Sequence, residues 1–135
     1  MNKVPKIMLS HESKKEIFYN ALCNGLSYMG GYGLELTFSK YNEAKKSLLE
    51  KNSKDICFED VLMEILEIGG NLTMVDHDSD GDLTRSITME DMLKNMDIAC
   101  EKYMQEIVDM LNENDDANTA DILLQIVFFE DVIFG

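Results

Sequence analysis

The stretch 69–91 constrains the fold more than any other part of the chain. Two short segments of strand-like composition, 71–76 and 83–87, flank a polar turn that contains an Asp-Gly pair. Such segments joined by a polar turn are typical of an antiparallel hairpin. Gly69 is placed to end the preceding helix, and Thr88 to cap the next one. The sequence therefore predicts a hairpin between two helices.

A third strand completes the predicted sheet. Residues 33–39 alternate apolar and polar side chains, which predicts a strand at 34–38. With the hairpin at 71–87 this strand would form a small three-stranded antiparallel sheet. About five helices are expected around the sheet, so the predicted fold class is α+β. The length suits one domain that spans residues 1–135.

Capping signals and periodicity place the helices. Ser13 and Glu16 have capping-box spacing, so the first helix is predicted to begin at Ser13 and to end near Tyr28. A second helix is expected at 41–50 and should be mostly exposed. A third is expected at 57–68, and its buried residues should be Phe58, Val61, Leu62, Ile65 and Leu66. A long helix should follow from Thr88 onward, and its inward-facing residues should be Met92, Met96, Ala99, Tyr103, Ile107 and Leu111. Loops are expected at 51–54 and 112–118.

The last predicted helix, which begins at Asn118 or Thr119, is apolar almost all round. A helix of this kind is usually central or lies at an interface. Either the first helix and the sheet cover it, or another chain does. The second alternative would make the protein an oligomeric structural subunit, a homo-oligomer through its last helix.

Charge is the unusual feature of the composition. The net charge is −14, and residues 55–135 alone carry three basic and 21 acidic residues, a local −18. Arg85 is the single arginine, so direct nucleic-acid binding through phosphates is not expected. An acidic surface instead attracts basic partners, such as nucleic-acid-binding proteins. The alternative is that the acidic residues only keep the protein soluble.

The aspartates of the turn resemble half of a calcium loop. Asp76, Asp78, Asp80 and Gly81 have the spacing of the first half of an EF-hand, but Ile87 stands where the loop needs a bidentate Glu. We therefore expect a solvated hairpin tip, with Asp76, Asp78 and Asp80 as a weak metal candidate. A small-ligand or weak Ca²⁺-binding module using the turn 76–82 is the alternative.

Residues typical of catalysis are scarce. The chain has two histidines, three separated cysteines and no Cys-x-x-Cys, no Gly-x-Ser-x-Gly and no P-loop. We predict a non-enzymatic protein without a cofactor. No apolar run is long enough for a membrane span, and the N-terminus lacks the apolar core of a signal peptide. A cytoplasmic location is therefore expected.

Acidic residues of the third helix and of the hairpin form the predicted contact face for a basic partner. Arg85 is expected to pair with Asp76 or Asp82, with a ligand contact as its alternative. The predicted partner-binding residues are Glu59, Asp60, Glu64, Glu67, Asp76, Asp78, Asp80, Asp82 and Arg85.

Two phrases of the sequence, LTMVDHDSDGDLTRSITMEDM and DDANTADILLQIVFFEDVIFG, resemble small uncharacterised proteins of bacteriophages and mobile elements. The resemblance covers about the last 75 residues, and it brings no catalytic motif with it. It implies a setting in a bacterial host. Small acidic phage proteins of this kind are often inhibitors of host defence or of host nucleic-acid-processing proteins.

Overall fold

A computed structural model describes residues 9–51, 54–78, 80–112 and 117–134. Six helices and three strands form within these ranges, which confirms the α+β class with six helices rather than about five. In chain order they are α1 (His11–Gly31), β1 (Leu34–Phe38), α2 (Tyr41–Glu50), α3 (Phe58–Glu67), β2 (Leu72–Asp76), β3 (Arg85–Ile87), α4 (Met89–Lys102), α5 (Met104–Leu111) and α6 (Ala117–Phe129). The loops predicted at 51–54 and 112–118 lie partly outside the described residues.

The three strands form one antiparallel sheet in the order β1-β2-β3, as predicted. Leu34 pairs with Asp76 across the first ladder, and Leu72 pairs with Ile87 across the second. The last strand begins at Arg85 rather than at residue 83. It is shorter because side chains replace the ladder there: the Asp76 N–H donates to the Thr84 hydroxyl, 3.0 Å away, instead of to a carbonyl of β3.

The first helix begins earlier and ends later than its sequence signals predict. Ser10, not Ser13, is the N-cap, and its hydroxyl accepts a hydrogen bond from the Ser13 N–H at 3.1 Å. The predicted capping box is therefore wrong, and Ser13 lies inside the helix. The helix continues past Tyr28 to Gly31. Gly33, with a φ of 77°, then provides the left-handed turn into β1.

The helices that flank the hairpin have the predicted caps. Gly69 adopts a φ of 85° after α3, and the Thr88 hydroxyl accepts from the Asp91 N–H at the start of α4. The long helix predicted after Thr88 is divided at Tyr103, whose backbone leaves the helical region and whose hydroxyl donates to Asp131. Two predicted inner residues are exposed: Phe58 begins α3 and Leu111 ends α5, where Met110 is buried instead.

The last helix, α6, is the centre of the protein. It packs against α1, α4, α5 and β3, and Leu123, Leu124, Ile126, Val127 and Phe128 are all at most 2% exposed. Elements of the same chain therefore cover it, which is the first of the two predicted alternatives. These five side chains are thus not available for a subunit interface, while Ile122 and Phe129 of the same helix are half-buried. No helix within the described ranges combines the length and apolarity needed to cross a membrane.

The residues after α6 fold back along it. The Gln125 side-chain oxygen accepts from the N–H groups of Ile133 and Phe134, at 2.9 and 2.8 Å. The Phe134 ring stacks on Tyr32, with 4.5 Å between ring centroids. The Tyr32 hydroxyl donates to Asp121 at 2.6 Å, and this hydrogen bond, with burial, raises the pKa of Tyr32 to about 12. A polar network thus holds the chain beyond α6 against α1.

Replacing Gly25 by alanine should destabilise the protein by about 1–3 kcal/mol, because α1 and α6 meet there without room for a side chain. A Cβ on Gly25 would lie 2.8 Å from the Ala120 carbonyl carbon. The matched control is Gly30→Ala, since a Cβ at Gly30 meets nothing within 4 Å. We expect the control to be neutral or stabilising by up to about 1 kcal/mol. Urea denaturation of both variants measures the difference, and equal stabilities would contradict the close packing.

Candidate interaction surface

The hairpin turn is organised by the buried carboxylate of Asp76. This residue is 4% exposed, and its two oxygens accept from the main-chain N–H groups of Asp78 and Leu83, at 3.0 and 3.2 Å. A buried carboxylate that accepts main-chain hydrogen bonds holds a loop in one shape. The sequence predicts Asp76 as a contact residue, but the structure places it beneath the turn, where it supports the other acidic residues.

The tip of the turn presents three acidic side chains to solvent. Asp78, Asp80 and Asp82 are exposed, and within the described ranges their carboxylates form no ion pair. Asp80 and Gly81 adopt left-handed backbone angles, with φ of 53° and 81°, which asparagine, aspartate and glycine tolerate best. We call these three exposed residues the acidic tip.

Arg85 contacts the main chain of the turn and not the carboxylates predicted for it. Its guanidinium donates to the carbonyl oxygens of Thr84 and Asp82, at 2.8 and 3.1 Å. No ion pair of Arg85 occurs among the described residues. The register explains this, because Arg85 lies opposite Met74 and not opposite Asp76. Among the described residues the guanidinium therefore lies beside the main chain of the acidic tip without an ion pair to its carboxylates.

Glu64, another predicted contact residue, is buried between α3 and α2. It is 4% exposed, and one carboxylate oxygen accepts from the Ser47 hydroxyl at 2.5 Å and from the Lys51 ammonium at 2.7 Å. Burial alone would raise the pKa of Glu64, but the hydrogen bonds from Lys51 and Ser47 outweigh it, so this pKa lies below its ordinary value. Glu64 therefore stays ionised and ties the two helices together.

Asp60 and Glu67 are also bound within the chain. Asp60 accepts from the Cys57 N–H at 3.1 Å and so caps α3. Burial opposes its ionisation, but hydrogen bonds from the Cys57 main chain and from Tyr19 outweigh burial and lower the pKa of Asp60. Glu67 forms an ion pair with Lys15 of α1 at 2.8 Å. Glu59 is half-buried at the start of α3. Most acidic residues of α3 therefore hold the fold.

A cleft of about 430 Å³ runs beside α3 and brings three of the predicted residues together. Apolar side chains of Leu48, Ile56 and Met63 line it along with Lys54. The acidic residues in its walls are Asp60, Glu64 and Glu67. Because hydrogen bonds or ion pairs within the chain already occupy these carboxylates, the cleft is less suited to bind a cation than its composition suggests.

An exposed aromatic cluster is the surface feature that sequence patterns did not indicate. Phe38, Tyr41 and Phe58 lie together, with ring centroids 5.1 to 6.3 Å apart. Phe38 is 38% and Phe58 41% exposed, although both occupy positions that periodicity assigns to the core. The exposed Lys40 stands between the first two rings in sequence. Only the sheet register, which brings the end of β1 beside α3, could have revealed this cluster.

The aspartates of the turn do not form a cation site of the EF-hand kind in this conformation. No group of three or more His, Cys, Asp or Glu side chains that could hold a metal ion occurs in the part of the chain that the structure describes. Asp76, which would supply the first ligand, directs both oxygens at main-chain N–H groups. In this conformation both Asp76 oxygens are therefore engaged in holding the turn.

Comparisons with protein-family models, with curated proteins and with solved structures find no match for this chain. Function is therefore inferred from the surfaces described above. The resemblance to phage and mobile-element proteins stays a prediction.

Replacing Asp76 by asparagine should destabilise the protein by about 1–3 kcal/mol, because an amide cannot accept from both Asp78 and Leu83. Asp80→Asn is the control, since Asp80 is exposed and asparagine tolerates its left-handed backbone. Urea denaturation should show a change within about 0.5 kcal/mol for this control. Amide exchange at Leu83 should become faster only in the Asp76 variant. Unchanged exchange there would show that Asp76 does not hold the turn.

Glu64 should make stability depend on pH. Because folding lowers its pKa below the ordinary 4.5, the carboxylate stabilises the folded protein above that value, and the contribution is lost as the pH falls through the folded pKa. The Glu64→Gln variant should therefore be less stable than the parent near pH 7. The gap should narrow on acidification. Glu43→Gln, at an exposed position of the adjacent helix, should show no gap at either pH in urea denaturation.

Proposed function

We propose that the protein is a non-enzymatic acidic interaction protein that occupies a basic, nucleic-acid-binding surface of another protein. The observation that carries the proposal is the acidic tip, three exposed carboxylates on one short turn without an ion pair in the described residues. Lysine and arginine clusters that bind phosphates are complementary to such a surface. The tip would compete with nucleic acid for those clusters.

The hydrogen bonds of Asp76 support this role. Asp76 fixes the main chain on both sides of the tip, at Asp78 and at Leu83. Binding then requires little additional ordering of the main chain, which lowers its entropic cost. The negatively charged side chains of the acidic tip would thus be preorganised for binding to a partner.

The net charge of −14 supports the proposal in a second way. A surplus of negative charge speeds the approach of a basic partner and disfavours nucleic acid itself as a ligand. Only exposed acidic residues can contact a partner directly. The contact face that we propose therefore contains fewer residues than the one expected from the sequence. It keeps Asp78, Asp80 and Asp82, while Asp60, Glu64 and Asp76 are bound within the fold and the exposed Glu67 is paired with Lys15.

The resemblance to phage and mobile-element proteins suggests the setting. We infer that the partner is a host defence protein or a host nucleic-acid-processing protein, and that the chain inhibits it in the cytoplasm of a bacterial host. An inhibitor of this type needs no catalytic residues, because it acts by covering a surface.

Neutralising the acidic tip should weaken partner binding by about tenfold or more. The variant Asp78→Asn, Asp80→Asn, Asp82→Asn is compared with Glu16→Gln, Glu43→Gln, Glu50→Gln, which removes the same charge from exposed positions elsewhere. Both are used in pull-downs from nuclease-treated bacterial lysate at rising salt, with mass spectrometry of the retained proteins.

A retained protein must then lose DNA or RNA binding when the parent chain is added. The tip variant should fail in this competition assay while the control variant succeeds. Retention that ignores salt, or equal loss in both variants, would contradict a role of the acidic tip.

A further inference from the structure

Two of the three cysteines lie where α1 packs against α3. Cys23 is exposed on α1, and Cys57 is half-buried at the N-cap of α3. The third cysteine, Cys100, is buried in α4. The fold therefore separates two thiols that solvent can reach from one that is closed off.

The hydroxyl group of Tyr19 connects the two accessible thiols. Its oxygen lies 3.4 Å from the Cys57 sulfur, within the distance of a hydrogen bond to sulfur. Tyr19 and Cys23 are one helical turn apart on α1, a spacing that puts both side chains on the same face of the helix. The Cys23 thiol is a second hydrogen-bond partner of this hydroxyl. The sulfur atoms of Cys23 and Cys57 thus meet around one oxygen atom.

Asp60 holds Cys57 and Tyr19 in place. Its carboxylate accepts from the Cys57 main-chain N–H at 3.1 Å and also from the Tyr19 hydroxyl. The hydrogen bonds with Cys57 and Asp60 raise the pKa of Tyr19 above its ordinary value, so the hydroxyl stays protonated. The start of α3 and the adjacent face of α1 are therefore joined by one hydrogen-bond network, and Cys57 is part of it.

We propose that Cys23 and Cys57 form a reversible disulfide bond when the folded protein meets a small-molecule disulfide such as oxidised glutathione. The bond would tie α1 to the start of α3 at a point where the two helices already share a hydrogen-bond network. In reducing surroundings both thiols stay free, and a disulfide that forms there is usually transient or redox-sensing. The thiol pair is thus a site of oxidative modification.

The exposure of the two thiols sets the order of the steps. The exposed Cys23 loses its proton and attacks one sulfur of the small disulfide, whose S–S bond breaks, and one small thiol leaves with that proton. The Cys57 sulfur, after losing its own proton, attacks the Cys23 sulfur of this mixed disulfide, and the second small thiol leaves. The protein has then lost two electrons and two protons, and the small disulfide has gained both.

Peptide mapping after oxidation of the folded protein tests the assignment. The parent is incubated with oxidised glutathione, its remaining thiols are blocked, and it is digested without a reductant. We expect a peptide that links Cys23 to Cys57, a blocked Cys100, and an intact mass lower by two hydrogen atoms before blocking. In urea, links to Cys100 should also form, because the fold no longer selects the pair. Absence of the Cys23–Cys57 link in the folded protein would overturn the proposal.

Serine variants test the second step. Cys57→Ser should keep the fold, since serine is a preferred N-cap residue. It should accumulate the mixed disulfide at Cys23 about tenfold above the parent, because no neighbouring thiol displaces the small thiol. Cys100→Ser is the matched control and should form the Cys23–Cys57 link as the parent does. Equal amounts of mixed disulfide in Cys57→Ser and the parent, or dimers of the parent linked through Cys23, would show that the two thiols do not react with each other.

Discussion

The burial of α6 is the constraint on which the rest of the fold depends. This helix is apolar on nearly every side, so no single element can cover it, and α1, α4, α5 and β3 each take a part. The closest approach occurs at Gly25, where the absence of a side chain lets α1 touch Ala120. The other elements follow from this arrangement. The sheet needs only one face against the helices, and α2 remains on the outside with a single buried residue, Ala44.

The acidic residues have two physical roles that composition alone cannot separate. Asp60, Asp76 and Asp91 accept hydrogen bonds from main-chain N–H groups. Because the acceptor is charged, such hydrogen bonds are strong and stabilise a helix cap or a turn. Glu64 and Asp121 connect helices through hydroxyl groups of other elements. The acidic residues left on the surface are distributed over several elements, and three of them, Asp78, Asp80 and Asp82, lie at the tip of the hairpin. A count of acidic residues therefore overstates the charge that a partner meets.

Local signals in the sequence were sufficient for the parts of the fold that depend on neighbouring residues. The hairpin, the Gly69 cap and the Thr88 cap follow from residues a few positions apart, and all three occur. Contacts between distant residues caused other differences, whereas the N-cap of α1, Ser10 instead of Ser13, is a local one. The break at Tyr103 accompanies a contact with Asp131, which no window around position 103 contains.

The candidate site differs from its prediction for the same reason. The sequence predicts that Glu64 faces a partner because it is acidic and helical, but Ser47 and Lys51 of another segment bury it. Phe58 has the spacing of a core residue, yet it begins its helix at the edge of the core and stays exposed. The tip residues, in contrast, lie on the predicted turn between β2 and β3, because turn-forming residues between two strand-like segments indicate a hairpin from neighbouring residues alone.

The hairpin turn has a consequence for how such a protein can change over time. The hydrogen bonds that shape it run between Asp76, Asp78, Gly81, Leu83 and Thr84, and they use one carboxylate, one hydroxyl and main-chain groups. The side chains at 80 and 82 have no part in these bonds. Substitution of Asp80 or Asp82 would therefore change the surface charge of the turn without removing any of these hydrogen bonds. Under the proposed function, contact with a partner and folding would thus depend on different positions of one short loop, so that the first could change in evolution without loss of the second.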